Sequence, residues 1–119
     1  MATYVSLMRF TEQGARNIQD TQKRAAAFRD AAKKAGVTVK DIFWTMGAYD
    51  GVVLLDAPDE QTVTSVMAGL GTLGNVRTQT MRAFDESEIG DVLGKASRGG
   101  AGAGGGTGGS AGGGARGKR

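Results

Sequence analysis

Ile42-Phe43-Trp44-Thr45-Met46-Gly47-Ala48-Tyr49-Asp50-Gly51-Val52-Val53-Leu54-Leu55 is the stretch that decides the fold. Two runs of β-branched, aromatic and apolar residues flank a short segment that carries two glycines and an Asp-Gly pair. The pattern reads as a β-hairpin, because strand formers stop on both sides of residues that accept turn conformations. Tyr49-Asp50-Gly51 is the expected turn, with Gly51 taking positive φ without steric cost.

Outward from this hairpin, two more strands and two long helices follow from the same logic. Residues 3–10, Thr-Tyr-Val-Ser-Leu-Met-Arg-Phe, are rich in β-formers. Thr11 is the expected N-cap of one helix reaching Gly36, with Ile18, Ala25, Phe28, Ala32 and Ala35 on its apolar side. Pro58-Asp59 opens a second helix with Asp59 as N-cap and Val63, Val66, Met67, Leu70 and Leu73 as its apolar face. Residues 75–84 form the fourth strand. A short last helix follows Asp85, with Glu88 three residues on as in a capping box. The order β-α-β-β-α-β-α with right-handed crossovers gives an α+β, ferredoxin-like βαββαβ fold: a four-stranded antiparallel sheet with both main helices on one face.

The hydrophobic pattern carries a further consequence. A sheet with one wet face alternates apolar and polar residues. Val52-Val53-Leu54-Leu55 does not alternate. Val5 and Leu7 point to one face while Tyr4, Met8 and Phe10 point to the other. Ile42, Trp44 and Met46 line one face and Phe43 the other. Two helices cover only one face, so the other is a large apolar patch of the kind that marks an interface. We expect self-association through this open sheet face, with Met8 and Trp44 as its probes.

Composition bounds the rest. The 119-residue chain has no Cys and no His, which removes thiol chemistry, the commonest metal ligand and the commonest general base. No metal and no cofactor is expected. Residues 1–94 form the expected folded domain, with 10 Lys/Arg against 12 Asp/Glu. Residues 95–119 contain 12 glycines and no Val, Ile, Leu or aromatic residue, and are expected to be a disordered basic tail. The five basic residues of that tail carry the chain to a formal charge of +3. Nucleic-acid binding is therefore not expected of the domain, and only weak, salt-dependent polyanion binding of the tail. No signal peptide and no run of about 20 apolar residues is present, so a cytoplasmic, non-membrane protein is expected.

Gly47-Ala48-Tyr49-Asp50-Gly51-Val52, Asp56-Ala57-Pro58-Asp59, Gly74-Asn75-Val76-Arg77-Thr78 and Arg82-Ala83-Phe84 resemble, in that order, the motifs of the GYD domain family. The likeness spans roughly residues 3–90. It implies a ferredoxin-like unit related to dimeric α/β-barrel proteins, and it implies no particular activity.

Several constellations have an ordinary structural reading. Gly69-Leu70-Gly71-Thr72-Leu73-Gly74 matches G-x-G-x-x-G, but it ends a helix, whereas a dinucleotide site needs those glycines ahead of a helix N-terminus. Asp85, Glu86, Glu88 and Asp91 suit a first helical turn better than a cation site. Trp44, Tyr49, Asp50 and Arg82 are the candidate ligand-binding residues, and Arg9 and Arg77 lie on neighbouring strands. Catalytic residues are not assignable. The reading is a non-enzymatic module that binds a small ligand or a protein. The alternative is a cofactor-free enzyme for a small aromatic or acidic substrate, with Tyr49 or Asp50 as acid or base and Trp44 and Arg82 positioning the substrate.

Overall fold

A computed structural model of the protein describes residues 1–102. The chain divides into two compact units, one spanning Met1–Ala83 and one that starts at Phe84. The first holds β1 (Ala2–Phe10), α1 (Glu12–Arg16), a 3-10 turn (Ile18–Asp20), α2 (Thr21–Lys34), β2 (Thr38–Trp44), β3 (Gly51–Ala57), α3 (Glu60–Thr72) and β4 (Val76–Ala83). The sheet runs β2-β3-β1-β4. Its three strand pairs are all antiparallel. This is the expected ferredoxin-like α+β architecture.

The register sorts the side chains. Tyr4, Ser6 and Met8 of β1 lie on one face with Val53, Leu55 and Ala57 of β3, and all are buried. Phe28 and Ala32 of α2, Val37 and Val63 and Met67 of α3 complete that core. The buried Ser6 hydroxyl is satisfied by Thr80 Oγ1 at 3.0 Å. The other face carries Val5, Leu7, Val52, Leu54, Phe43 and Met81, and no element of this unit covers it.

Caps explain most boundaries. Thr11 accepts from Gly14 N at 3.1 Å and starts α1. Asp59 accepts from Thr62 N at 2.8 Å and starts α3. At the end of α2, Gly36 takes φ 85°, its N–H reaches Lys33 O and the Val37 N–H reaches Ala32 O, a Schellman motif. Gly74, the last glycine of the G-x-G-x-x-G run, takes φ 83° just after α3.

Four details differ from expectation. The single helix over 11–36 is instead α1, a 3-10 turn and α2, with Asn17 as the C-cap of α1. Asn competes for main-chain groups and is a weak helix interior residue. Ile18 consequently lies in the turn, 38% exposed, and does not join the core stripe. The hairpin residue with positive φ is Gly47, at 110°, rather than Gly51. Met46 falls in the loop, 98% exposed. Met8 and Trp44 belong to the helix-covered side of the sheet, so they do not probe the open face.

In the second unit, α4 spans Glu86–Gly102, so it is longer than the short helix expected and passes residue 94. Asp85 and Glu88 form the reciprocal capping box: Glu88 N donates to Asp85 Oδ1 at 2.8 Å and Asp85 N to Glu88 Oε1 at 3.1 Å. The remaining tail from residue 103, including Arg116, Lys118 and Arg119, lies outside the described residues, and with it most of the tail expectations.

Candidate functional site

The hairpin between β2 and β3 places the Gly-Ala-Tyr-Asp-Gly residues beside the end of β1. Asp50 is built into the backbone there. Its Oδ2 accepts the Phe10 N–H at 2.8 Å, its own N–H donates to Met8 O at 2.7 Å, and its carbonyl accepts from Thr45 N at 2.9 Å. The Thr45 hydroxyl closes the loop by donating to Tyr49 O at 2.7 Å. The bonds to Phe10 and Met8 tie the loop to β1, and the two from Thr45 close the hairpin on itself, so the loop is held in one shape.

Tyr49 lies over the open face. Its hydroxyl donates to Gln79 Oε1 of β4 at 3.0 Å, and the Arg9 guanidinium stacks 4.8 Å from its ring centre. The ring thus bridges from the hairpin across β1 to β4. Asp50 and Tyr49, adjacent in sequence, have separate tasks: one fixes the loop, the other roofs one corner of the open face.

Trp44 and Arg82 are elsewhere. Trp44 ends β2 on the helix side, where its indole N–H donates to Thr21 Oγ1 of α2 at 3.0 Å. Arg82 ends β4 opposite Tyr4, with its guanidinium 5.8 Å from the Tyr4 ring centre and donating to the carbonyls of Thr3 and Ala83. The Tyr4 hydroxyl donates to Glu60 Oε2 at 3.1 Å, and burial, followed by that bond, pushes the phenol above its ordinary value. Trp44 and Arg82 therefore occupy opposite corners of the covered face, while Tyr49 lies on the uncovered one. The four candidates do not converge on one reacting centre.

Two features invite a partner. One is a cleft of about 660 Å³ on the helix side, floored by Met8, Ile42 and Val53 and walled by α2 and α3. It exists because α2 presents Ala25 and Ala31, its C-cap is Ala35, and α3 presents Gly69 where larger side chains would fill the gap. Sequence reasoning missed it, although the alanine spacing on α2 and the glycine on α3 were visible. Arg24, the cleft's charged residue, is tied to Asn17 O at 2.7 Å. The other feature is the open sheet face, where Phe43 and Met81 are 53% and 40% exposed beside half-buried Val5, Leu7, Val52 and Leu54. Among the described residues no group of three His, Cys, Asp or Glu is placed to hold a metal ion. No helix among them is long and apolar enough to cross a membrane.

Fold and surface define a ferredoxin-like domain with one sheet face covered by its own helices and one that no element of the Met1–Ala83 unit covers. The chain belongs to the GYD domain family, whose model matches residues 4–93. Over 90 residues it is 28% identical to a Thermus thermophilus protein named glutamine synthetase and cystathionine beta-lyase binding protein, covering 75% of this chain and 95% of that one. Its fold is similar to that of the hypothetical protein PHS023 from Pyrococcus horikoshii, with a TM-score of 0.50 and 20% identity over 72% of this chain and 93% of that one. The crystal structure of TTHA0845 from Thermus thermophilus aligns with a TM-score of 0.46 and 25% identity over 71% of this chain and 95% of that one.

Proposed function

We propose that this chain is a non-enzymatic cytoplasmic binding module that self-associates through its open sheet face and engages protein partners. The observation that carries the reading is that face. Val5, Leu7, Val52 and Leu54 form a contiguous apolar centre, extended by Phe43 and Met81, and all six face away from α2 and α3. Fully covering one Val or Leu contributes about 1.5–3 kcal/mol. A face of this composition therefore gains by meeting another surface.

The name of the Thermus relative, a binding protein for two enzymes, supports protein partners and chooses the first baits. The helix-side cleft leaves room for a small ligand as well. Against the cofactor-free enzyme stands the placement of its residues. Asp50 is engaged by the Phe10 main chain, and Trp44 and Arg82 are on the face opposite to Tyr49.

The test is biolayer interferometry of the full chain against the glutamine synthetase and the cystathionine β-lyase of the organism that encodes it. Saturable binding to either enzyme supports the module. No binding to either, together with turnover of a metabolite from a substrate library, would sink it.

A further inference from the structure

The helix-side cleft has two unlike ends. The register brings the end of β1, the end of β2 and the start of β4 together, since Phe10 faces Val76 while Met8 and Trp44 both face Gly51. At that end the cleft is lined by Thr21 and Arg24 of α2, by Trp44 and by Asn75. Toward the other end its walls are Ala31, Ala35, Val66 and Ser65. The Arg24 guanidinium donates to Asn17 O at 2.7 Å and to Gly14 O at 3.4 Å. Both acceptors are carbonyls near the end of α1, which carry only partial negative charge. No carboxylate pairs with Arg24 among the described residues. A guanidinium has five N–H groups, so donors remain. Thr21 Oγ1 accepts the Trp44 indole N–H at 3.0 Å, which leaves its own proton to donate.

The shape is a trough. Its lining follows α2 from Thr21 to Ala35, about 20 Å at the helical rise of about 1.5 Å per residue, so a volume of about 660 Å³ has a mean cross-section of roughly 30 Å². That is the form of a site for one extended chain. Gly69 keeps the trough wide. It lies within α3, where glycine is the least favourable residue after proline, and a Cβ there would meet no atom within 4 Å. No close packing therefore requires a glycine at this position. Met8 and Phe28 lie among the lining residues, and an apolar guest would cover the apolar surface that the trough leaves to water.

We propose that this cleft binds a fatty-acid-like amphiphile, with its alkyl chain extended along α2 and its carboxylate held by Arg24 and Thr21 at the Trp44 end. The distribution of polarity sets the direction: donors and positive charge stand at one end, and alanines and Val66 at the other. Covering each further methylene strengthens binding about fourfold. A hydrogen bond between a guanidinium and a carboxylate is about twice as strong as one between neutral groups, so the acid is preferred to the alcohol of equal length. The site is on the helix side of the sheet, and the inference does not rest on self-association through the open face.

Trp44 is the chain's one tryptophan, so its emission reports on the cleft directly. The test titrates the full chain with sodium dodecanoate below its micelle-forming range. The expected result is a saturable change in emission, with affinity rising from octanoate to dodecanoate and with dodecanol about tenfold weaker than dodecanoate. Arg24→Gln removes most of the preference for the acid and still binds dodecanol. Gly69→Leu fills the trough and weakens dodecanoate binding about tenfold or more, yet melts no lower than wild type because leucine is the better helix former. Loss of binding in that variant is therefore not loss of the fold. A wild-type emission that does not respond to dodecanoate overturns the proposal, as does unchanged binding by Gly69→Leu. Equal affinity for dodecanoate and dodecanol overturns the carboxylate assignment. Tighter binding of indole-3-acetate than of dodecanoate overturns the extended chain.

Discussion

Asp50 shows how a residue that looks chemical from the sequence is structural in the fold. Its carboxylate accepts a main-chain N–H, a charge-assisted bond that contributes roughly 1.5–3 kcal/mol. Asp50→Ala should lose about that much in chemical denaturation, whereas Asp50→Asn, which keeps an acceptor, should lose less. A variant that binds partners normally while melting early is the expected outcome. The glycines make a similar point. A Cβ at Gly14 would stand 2.0 Å from Asn75 O, and one at Gly51 would stand 2.3 Å from Met8 Cε. Backbone does not yield as a Met side chain does, so Gly14→Ala should cost more than Gly51→Ala, with overpacking of about 1–3 kcal/mol as the scale. Equal or inverted losses in urea titration would contradict this.

At the scale of elements, α3 depends on its cap. The Thr62 hydrogen bonds, side chain first and backbone second, hold Asp59 below the ordinary carboxylate value of 3.8. A depressed folded-state pKa means that the stabilisation is present above the unfolded value and is lost as pH falls through the folded one. Asp59→Ala should therefore lower the melting temperature at pH 7, and the gap from wild type should close on acidification below pH 3.8. A gap that persists in acid would assign the effect to packing. Tyr4 works at the other end of the scale. Its raised pKa gives stability that is complete below 10.0 and is lost as pH rises through the folded value, so Tyr4→Phe should flatten the alkaline limb of the stability curve.

Strand and helix identities were legible because Val52-Val53-Leu54-Leu55 and Asp59-Glu60 carry strong local signals. The break at Asn17 was not, because the apolar spacing of Ala25, Phe28 and Ala32 continues smoothly if extended backward to Ile18. Nor was the position of the turn, since both Gly47 and Gly51 fit the pattern and only the pairing of Gly51 with Met8 and Trp44 assigns it to a strand.

For the whole molecule, the period-two pattern revealed two apolar faces but not which one the helices cover. Met8 and Trp44 were therefore expected on the wrong side, and register alone places Val5, Leu7, Val52 and Leu54 on the open one. The cleft between α2 and α3 was illegible for a different reason: it arises from what alanines and Gly69 fail to fill, and an absence of volume leaves no motif. Two candidate partner surfaces on opposite sides of one sheet suit a module that assembles by one face and remains accessible by the other.

The most direct measurement is multi-angle light scattering of the full chain and of Leu54→Asp at micromolar concentration. The account predicts a mass of two chains, or a higher multiple, for the wild type, and a single-chain mass with an unchanged circular dichroism spectrum for the variant. A wild-type protein that elutes as a stable monomer, or a Leu54→Asp protein that assembles as the wild type does, would contradict it.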